Sequence, residues 1–221
     1  MNSVFTRRTA RLCVAGLVAV TSLYMGSNAM AVGAAFVVGT AFVVDTAEPE
    51  SCAAGGACKV GDTGPGGGIV FFDAGTKQSW GRYLEVAPAS WSGAPSDPVA
   101  TWCPEGKAGF TATVRTGTDI GSGAANTKAI IKACGSTSAA GVAAAYRGGG
   151  KTDWYLPSKD EVNSLFRKRS AVGGIPAKSL WSSSQSSHYA TYAWGQLLVS
   201  EGRYIGSYKG YGGMVRPIRA F

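Results

Sequence analysis

The sequence predicts an α+β domain, with two or three short helices and short antiparallel strands held by two disulfides, and three observations carry that prediction. Residues 158–169 have the local marks of a capped amphipathic helix. From residue 179 onward, apolar and polar residues alternate between glycines, the pattern of short strands. The N terminus reads as an export signal, and behind it stand four cysteines, an even number that suits two disulfides in an oxidising compartment.

Residues 1–31 read as a signal peptide. Arg7, Arg8 and Arg11 form a basic start, residues 12–20 an apolar core, and Ala29, Met30 and Ala31 a small-x-small cleavage pattern. Cleavage is expected after Ala31, by general or twin-arginine export. Residues 32–58 form an apolar lead-in and an acidic, small-residue linker, and residues 59–221 the folded domain. No charge falls between Leu12 and Val44, a run longer than the roughly 20 residues that span a bilayer. An uncleaved N-terminal membrane anchor is therefore the alternative, although Gly26, Ser27 and Asn28 interrupt the run with turn formers. Either way, the domain is expected to be secreted or displayed at the cell surface.

Within the domain, GDTGPGGG (residues 61–68) mimics collagen triplets for two periods and reads as a glycine turn feeding a strand at 69–72. A second strand is expected at 83–87. Residues 88–110 read as a long loop anchored by Trp91 and Trp102. A helix over 126–134 stops at Gly135, and a shorter one over 138–146 stops at the glycines 148–150. Ser158 and Glu161 form a capping box for the helix 159–169, with Asp160 and Glu161 at its positive end and Arg167, Lys168 and Arg169 at its negative end. Val162, Leu165 and Phe166 share its apolar face. Strands are expected at 180–183, 191–199, 203–208 and 214–220, with a hairpin turn at 200–202 and a polar loop in the serine run 182–187. Close spacing pairs Cys52 with Cys58, which leaves Cys103 with Cys134. A zinc site is the rival reading, but the spacings are irregular and the sole histidine, His188, is distant.

Gly150, Lys151 and Thr152 look like the end of a phosphate-binding loop. The motif would need a glycine at position 145, which is Ala145, and a strand before and a helix after. Instead a helix precedes the run, and an extended segment ending in Pro157 follows it. The run is better read as a hinge: the glycines turn the chain, Trp154 and Leu156 enter the core, and Pro157 and Ser158 launch the helix. No nucleotide, nucleic acid, metal or cofactor is expected.

Charge is uneven. The net +8 falls to +5 once Arg7, Arg8 and Arg11 leave with the signal. Residues 147–221 hold eleven Lys/Arg against four Asp/Glu, whereas residues 32–146 hold seven against nine. A basic last third outside the cell suits sulfated, uronic or phosphate-rich polymers. The candidate contacts are Lys159, Arg167, Lys168, Arg169, Lys178, Arg203 and Lys209, with Tyr204 and Tyr208 as flat faces for sugar rings. Arginine suits the role because its forked donors grip sulfate or carboxylate in pairs.

Five segments, residues 61–72, 116–127 (TGTDIGSGAANT), 149–161 (GGKTDWYLPSKDE), 180–184 (LWSSS) and 215–221 (VRPIRAF), together resemble the Lcl C-terminal domain family, the terminal domain of a bacterial collagen-like adhesin. The resemblance spans about residues 59–221. The shorter W-x-L-P-[ST]-x-x-E pattern is also similar to one in formylglycine-generating enzymes. The resemblance implies a C-type-lectin-like fold, an extracellular binding role and, as in the adhesin, sulfated glycosaminoglycan ligands bound by a homotrimer. The chain carries no collagen-like stalk to template a trimer, and no cysteine follows Cys134 to supply the copper-binding pair of the enzymes. The function expected is therefore non-enzymatic adhesion to an anionic polysaccharide or cell-envelope polymer. A structural envelope domain making protein–protein contacts is the alternative, and a formylglycine-generating-type enzyme the remote one.

Overall fold

The computed structural model describes residues 51–89, 91–199 and 201–221. The expected signal peptide, its cleavage point and the apolar lead-in lie outside the described residues.

Two sheets and a set of short helices make up the domain. A long hairpin, β1 (Ile69–Gln78) and β2 (Gly81–Val86), is joined by the last strand, β8 (Ile218–Ala220), in a three-stranded antiparallel sheet of order β1-β2-β8. The second sheet contains β3 (Val99–Thr101), β4 (Ser179–Gln185), β5 (Tyr192–Leu197), β6 (Tyr204–Tyr208) and β7 (Gly212–Met214), in the order β3-β7-β4-β5-β6. Its pairings are antiparallel except for β4 with β7. Five helical segments connect them: α1 (Ala108–Thr111), α2 (Gly123–Cys134), α3 (Ala139–Ala144), α4 (Lys159–Arg167) and α5 (Arg169–Val172). The mixed α+β architecture with two disulfides, Cys52–Cys58 and Cys103–Cys134, is as the sequence leads one to expect, but the described residues form five α-helical segments rather than two or three, and one strand pair is parallel.

Helix α4 forms where its local sequence says it should. Ser158 Oγ accepts from the Glu161 amide at 3.3 Å, and the Glu161 carboxylate accepts from the Ser158 amide at 2.6 Å. The expected helix end moves, however. Lys168 leaves helical geometry and α5 carries the chain on to Gly173, whose φ of 68° stops it. Val162, Leu165 and Phe166 bury against Phe71, Leu84, Val86 and Ile218. A second cluster packs Ile130 of α2 with Trp102, Leu156, Trp181 and Val215. Each of these large side chains contributes about 1.5–3 kcal/mol by leaving water.

Three expectations need correcting. The loop 88–110 contains β3 and α1, although Trp102 does anchor it, fully buried with Nε1 donating to the Ser182 carbonyl at 2.8 Å. Ser182 and Ser183 fall in the strand expected at 180–183, and Ser184 extends it rather than starting a polar loop. All three lie buried in β4, where Ser182 and Ser184 donate to the carbonyls of Trp194 and Gly117, each at 2.7 Å. The single strand expected at 214–220 is two strands in different sheets. Pro217, which has no amide to donate, breaks the ladder between them. At the break, Arg216 turns inward to Asp97 at 2.8 Å, an ion pair with both side chains buried.

The glycine-rich motif 61–68 proves to be a carboxylate cradle. Glu85 on β2 is fully buried, and its oxygens accept from the amides of Gly66 at 3.0 and 3.1 Å and of Gly68 at 3.0 Å. Arg219 on β8 donates to the same carboxylate at 2.8 Å and to Asp153 at 2.5 Å. A Cβ on Gly66 would stand 2.7 Å from the Glu85 carboxylate and 2.8 Å from Trp154, so nothing larger fits. The second glycine run closes over the first. Gly149, at φ 58°, sits where a Cβ would meet the Gly66 backbone at 2.7 Å, and Trp154 donates to the Gly148 carbonyl. No helix opens after Lys151; α4 starts only at Lys159. Trp154 and Leu156 are both buried, as the hinge reading has them, but α3 ends at Ala144, ahead of the glycines, which form a separate 3-10 turn at Gly148–Gly150.

Candidate functional site

The β5–β6 hairpin forms one outer margin of the five-stranded sheet. Its register pairs Tyr192 with Tyr208, Trp194 with Gly206 and Gln196 with Tyr204. Alternation places these six on one face, of which Gln196 is buried with Nε2 donating to Asn163 Oδ1 and the Gly202 carbonyl, while Ala193 and Gly195 of β5 lie buried on the other. Gly206, directly across from Trp194, has nothing within 4 Å of where a side chain would start. That gap opens a cavity of about 410 Å³ lined by Ser186, His188, Tyr189, Tyr192, Trp194 and Gly206. The volume falls in the range of small-ligand sites.

An aromatic row continues away from the cavity. Tyr189, Tyr192, Tyr208 and Tyr211 lie ring to ring at centroid distances of 5.6, 5.9 and 5.5 Å, with Tyr189 and Tyr211 each 66 % exposed. At the other end, Lys159 holds its ammonium 4.4 Å from the Trp194 ring centre and 4.5 Å from that of Tyr204. Those contacts fix a cation beside the aromatic floor. Burial raises the Tyr204 pKa above its ordinary value, nearby Asp160 adds to the rise, and Arg167 works against it.

Of the residues singled out in the sequence, Lys159, Tyr204 and Tyr208 meet on this face. Arg167, Lys168 and Arg203 are exposed near the hairpin end, where Gly202 rests on the Phe166 ring. Arg169 stacks its guanidinium 4.0 Å over Phe166 and donates to the Phe166 carbonyl, so part of its donor fork is engaged. Lys178 lies apart, in a shallow cleft with Val99, Gly212 and Met214.

Lys209 must be withdrawn as a ligand contact. It is fully buried, with its ammonium donating to the carbonyls of Gly109 at 2.7 Å and Ala112 at 3.2 Å and to Gln185 Oε1 at 2.9 Å. Arg216 and Arg219 are buried in ion pairs too, so three of the eleven basic residues after position 146 contribute little to the basic surface. The Lys209 side chain reaches carbonyls about a hundred residues away in sequence, which local pattern does not reveal.

Burial brings the Lys209 pKa down from 10.5 to about 8. The unfolded chain keeps this proton up to about pH 10.5 while the folded chain releases it near pH 8, so between those values unfolding takes up a proton. Stability is therefore expected to rise from pH 8 towards pH 10, read as a rising urea midpoint, and the rise should vanish in Lys209→Met. Beyond pH 10 the raised pKa values of Tyr146, Tyr155 and Tyr204 reverse the trend, because the folded chain then holds protons that the unfolded chain loses.

No family model matches the chain, and no curated protein matches it. The site is therefore read from its own residues. Sequence reasoning missed Tyr189, Tyr192, Trp194, His188 and Ser186. The available signal was Y-x-W at 192–194 with a glycine opposite, which leaves a bare aromatic face on an outer strand pair. Ser187 Oγ lies 3.2 Å from His188 Nδ1, and among the described residues no carboxylate hydrogen-bonds that imidazole. Both disulfides fit an oxidising, extracellular setting. Among the described residues, no helix is long and apolar enough to cross a membrane.

Proposed function

We propose that this is an exported, non-enzymatic binding domain that adheres to anionic polysaccharide, sulfated or uronic, or to a similar cell-envelope polymer. The observation that carries the reading is the β5–β6 face, where an open aromatic floor lies against a fixed lysine and leads to exposed arginines. The apolar C–H face of a pyranose ring packs on Trp194 and Tyr192 while its hydroxyls meet Ser186 and His188. Lys159 supplies charge beside the floor, and Arg167, Lys168 and Arg203 lie further along the hairpin for sulfate or carboxylate groups. The segments that resemble the Lcl C-terminal domain family support the same reading, and that resemblance also implies a C-type-lectin-like fold and a homotrimer.

Trp194→Ala is expected to weaken binding to immobilised heparin or hyaluronan about tenfold, the scale of one lost aromatic contact, with the folded spectrum unchanged. Reversing charge at Arg167, Lys168 and Arg169 should shift elution to lower salt. Passage of the wild-type protein straight through both columns at physiological salt would remove the reading. In that case, capture of a protein partner by the tyrosine row would favour an envelope domain making protein contacts.

A further inference from the structure

A second depression lies on the other flank of Trp194, and its only charged side chain comes from the acidic part of the chain. This cavity, of about 190 Å³, is lined by Arg115, Thr116, Thr118, Ser187 and, shared with the first cavity, Ser186 and Trp194. Arg115 is exposed and forms no ion pair among the described residues. Its backbone is nevertheless pinned. Gln185 Oε1 accepts from the Val114 backbone amide at 2.7 Å, and the Gln185 backbone amide donates to Thr116 Oγ1 at 2.8 Å. Val114, on one side, is buried. The same Gln185 oxygen receives the buried Lys209 ammonium, so the lysine that cannot touch a ligand holds in place the loop that can.

We infer that Arg115 is the specificity-determining residue of a second subsite, which takes the acidic group of a sugar unit adjoining the one stacked on Trp194. The inference rests on the binding role proposed for the same face. A guanidinium that no carboxylate among the described residues engages keeps its paired donors for a carboxylate or sulfate. The threonine and serine hydroxyls around it supply neutral hydrogen bonds. The two cavities share Trp194 and Ser186, so one chain running across them places consecutive sugar units in an aromatic and then an anion-reading environment. The ligand that fits is a polymer with an acidic substituent next to a neutral ring. A uniformly neutral glycan would fill the first cavity alone.

The test measures affinities of the intact, disulfide-bonded protein for three hexasaccharides: one from hyaluronan, with carboxylates only, one from heparin, with sulfates as well, and neutral chitohexaose. Arg115→Gln is expected to weaken one or both acidic ligands about tenfold and to leave chitohexaose within about twofold of the wild type. Which acidic ligand loses more identifies carboxylate or sulfate as the group read. Trp194→Ala should weaken all three. Equal losses for Arg115→Gln on acidic and neutral ligands, or no loss on either acidic one, overturn the subsite while leaving the binding role intact. Failure of the wild type to bind any of the three overturns both.

Discussion

Replacing Glu85 with alanine is expected to cost about 3–5 kcal/mol of folding free energy, the scale of breaking a buried ion pair from one side. The buried carboxylate neutralises Arg219 and satisfies the amides of Gly66 and Gly68. Its loss leaves an arginine that is 10 % exposed with only the half-exposed Asp153 for a partner, and the amides of Gly66 and Gly68 without their acceptor. Urea unfolding at neutral pH reads the result. The control is Arg82→Ala, which removes a pair with Asp73 whose side chains are 41 % and 31 % exposed and should leave the midpoint unchanged. Glu85→Gln keeps the shape and one acceptor oxygen while losing the charge, so it should fall between the wild type and Glu85→Ala. A Glu85→Ala midpoint equal to the wild type would mean that the glycines are simply a turn.

The same cradle shows where the sequence is legible and where it is not. The capping box of α4 involves residues three apart, and its side chains can complete each other whatever the rest of the chain does. The close cysteine pair is legible for a similar reason, because six residues of separation leave few other partners. The glycines 61–68 announce a turn but not its content. Their partner Glu85 lies about twenty residues on, Trp154 comes from another segment, and Arg219 comes from the far end of the chain. Long-range partners of this kind leave no local periodicity.

Lys209 illustrates the opposite failure. In the run RYIGSYKGYGG it sits among tyrosines and glycines and has every local mark of a surface cation. It is buried because Gly109 of α1 and Ala112 just past its end aim carbonyls at it, and the local pattern of the loop 88–110 does not announce α1. The aromatic face was half legible. Tyr204 and Tyr208 were visible as flat surfaces, but the floor between them and the cavity depends on the β5–β6 register, which sets Trp194 opposite a glycine. A shift of one residue would turn Trp194 inward and leave no cavity.

Opening the Cys103–Cys134 bond is the other change with a large expected effect. The bond joins residues 31 apart, for which the chain-entropy estimate is about 3.7 kcal/mol, against roughly 2 kcal/mol for Cys52–Cys58 with a separation of 6. Both Cys103 and Cys134 are fully buried in the cluster around Trp102 and Ile130, so the pair Cys103→Ala and Cys134→Ala loses packing as well. The effect should travel beyond stability. A Cβ on Gly109 would lie 2.6 Å from the Cys134 sulfur, so α1 rests directly on the disulfide. The Gly109 and Ala112 carbonyls in turn hold Lys209, and Lys209 and the Val114 amide share the Gln185 oxygen. Loosening α1 therefore frees the Arg115 loop at one remove. The Cys103→Ala/Cys134→Ala protein should lose about 3–4 kcal/mol in urea unfolding and, at temperatures where it remains folded, bind the acidic hexasaccharides less tightly than chitohexaose relative to the wild type. The Cys52→Ala/Cys58→Ala protein should lose less stability and keep the wild-type ratio of affinities, because its disulfide packs with Val70, Tyr83 and Phe221, in a cluster separate from that of Cys103 and Cys134. Equal losses for the two variants would break the chain of support from disulfide to loop.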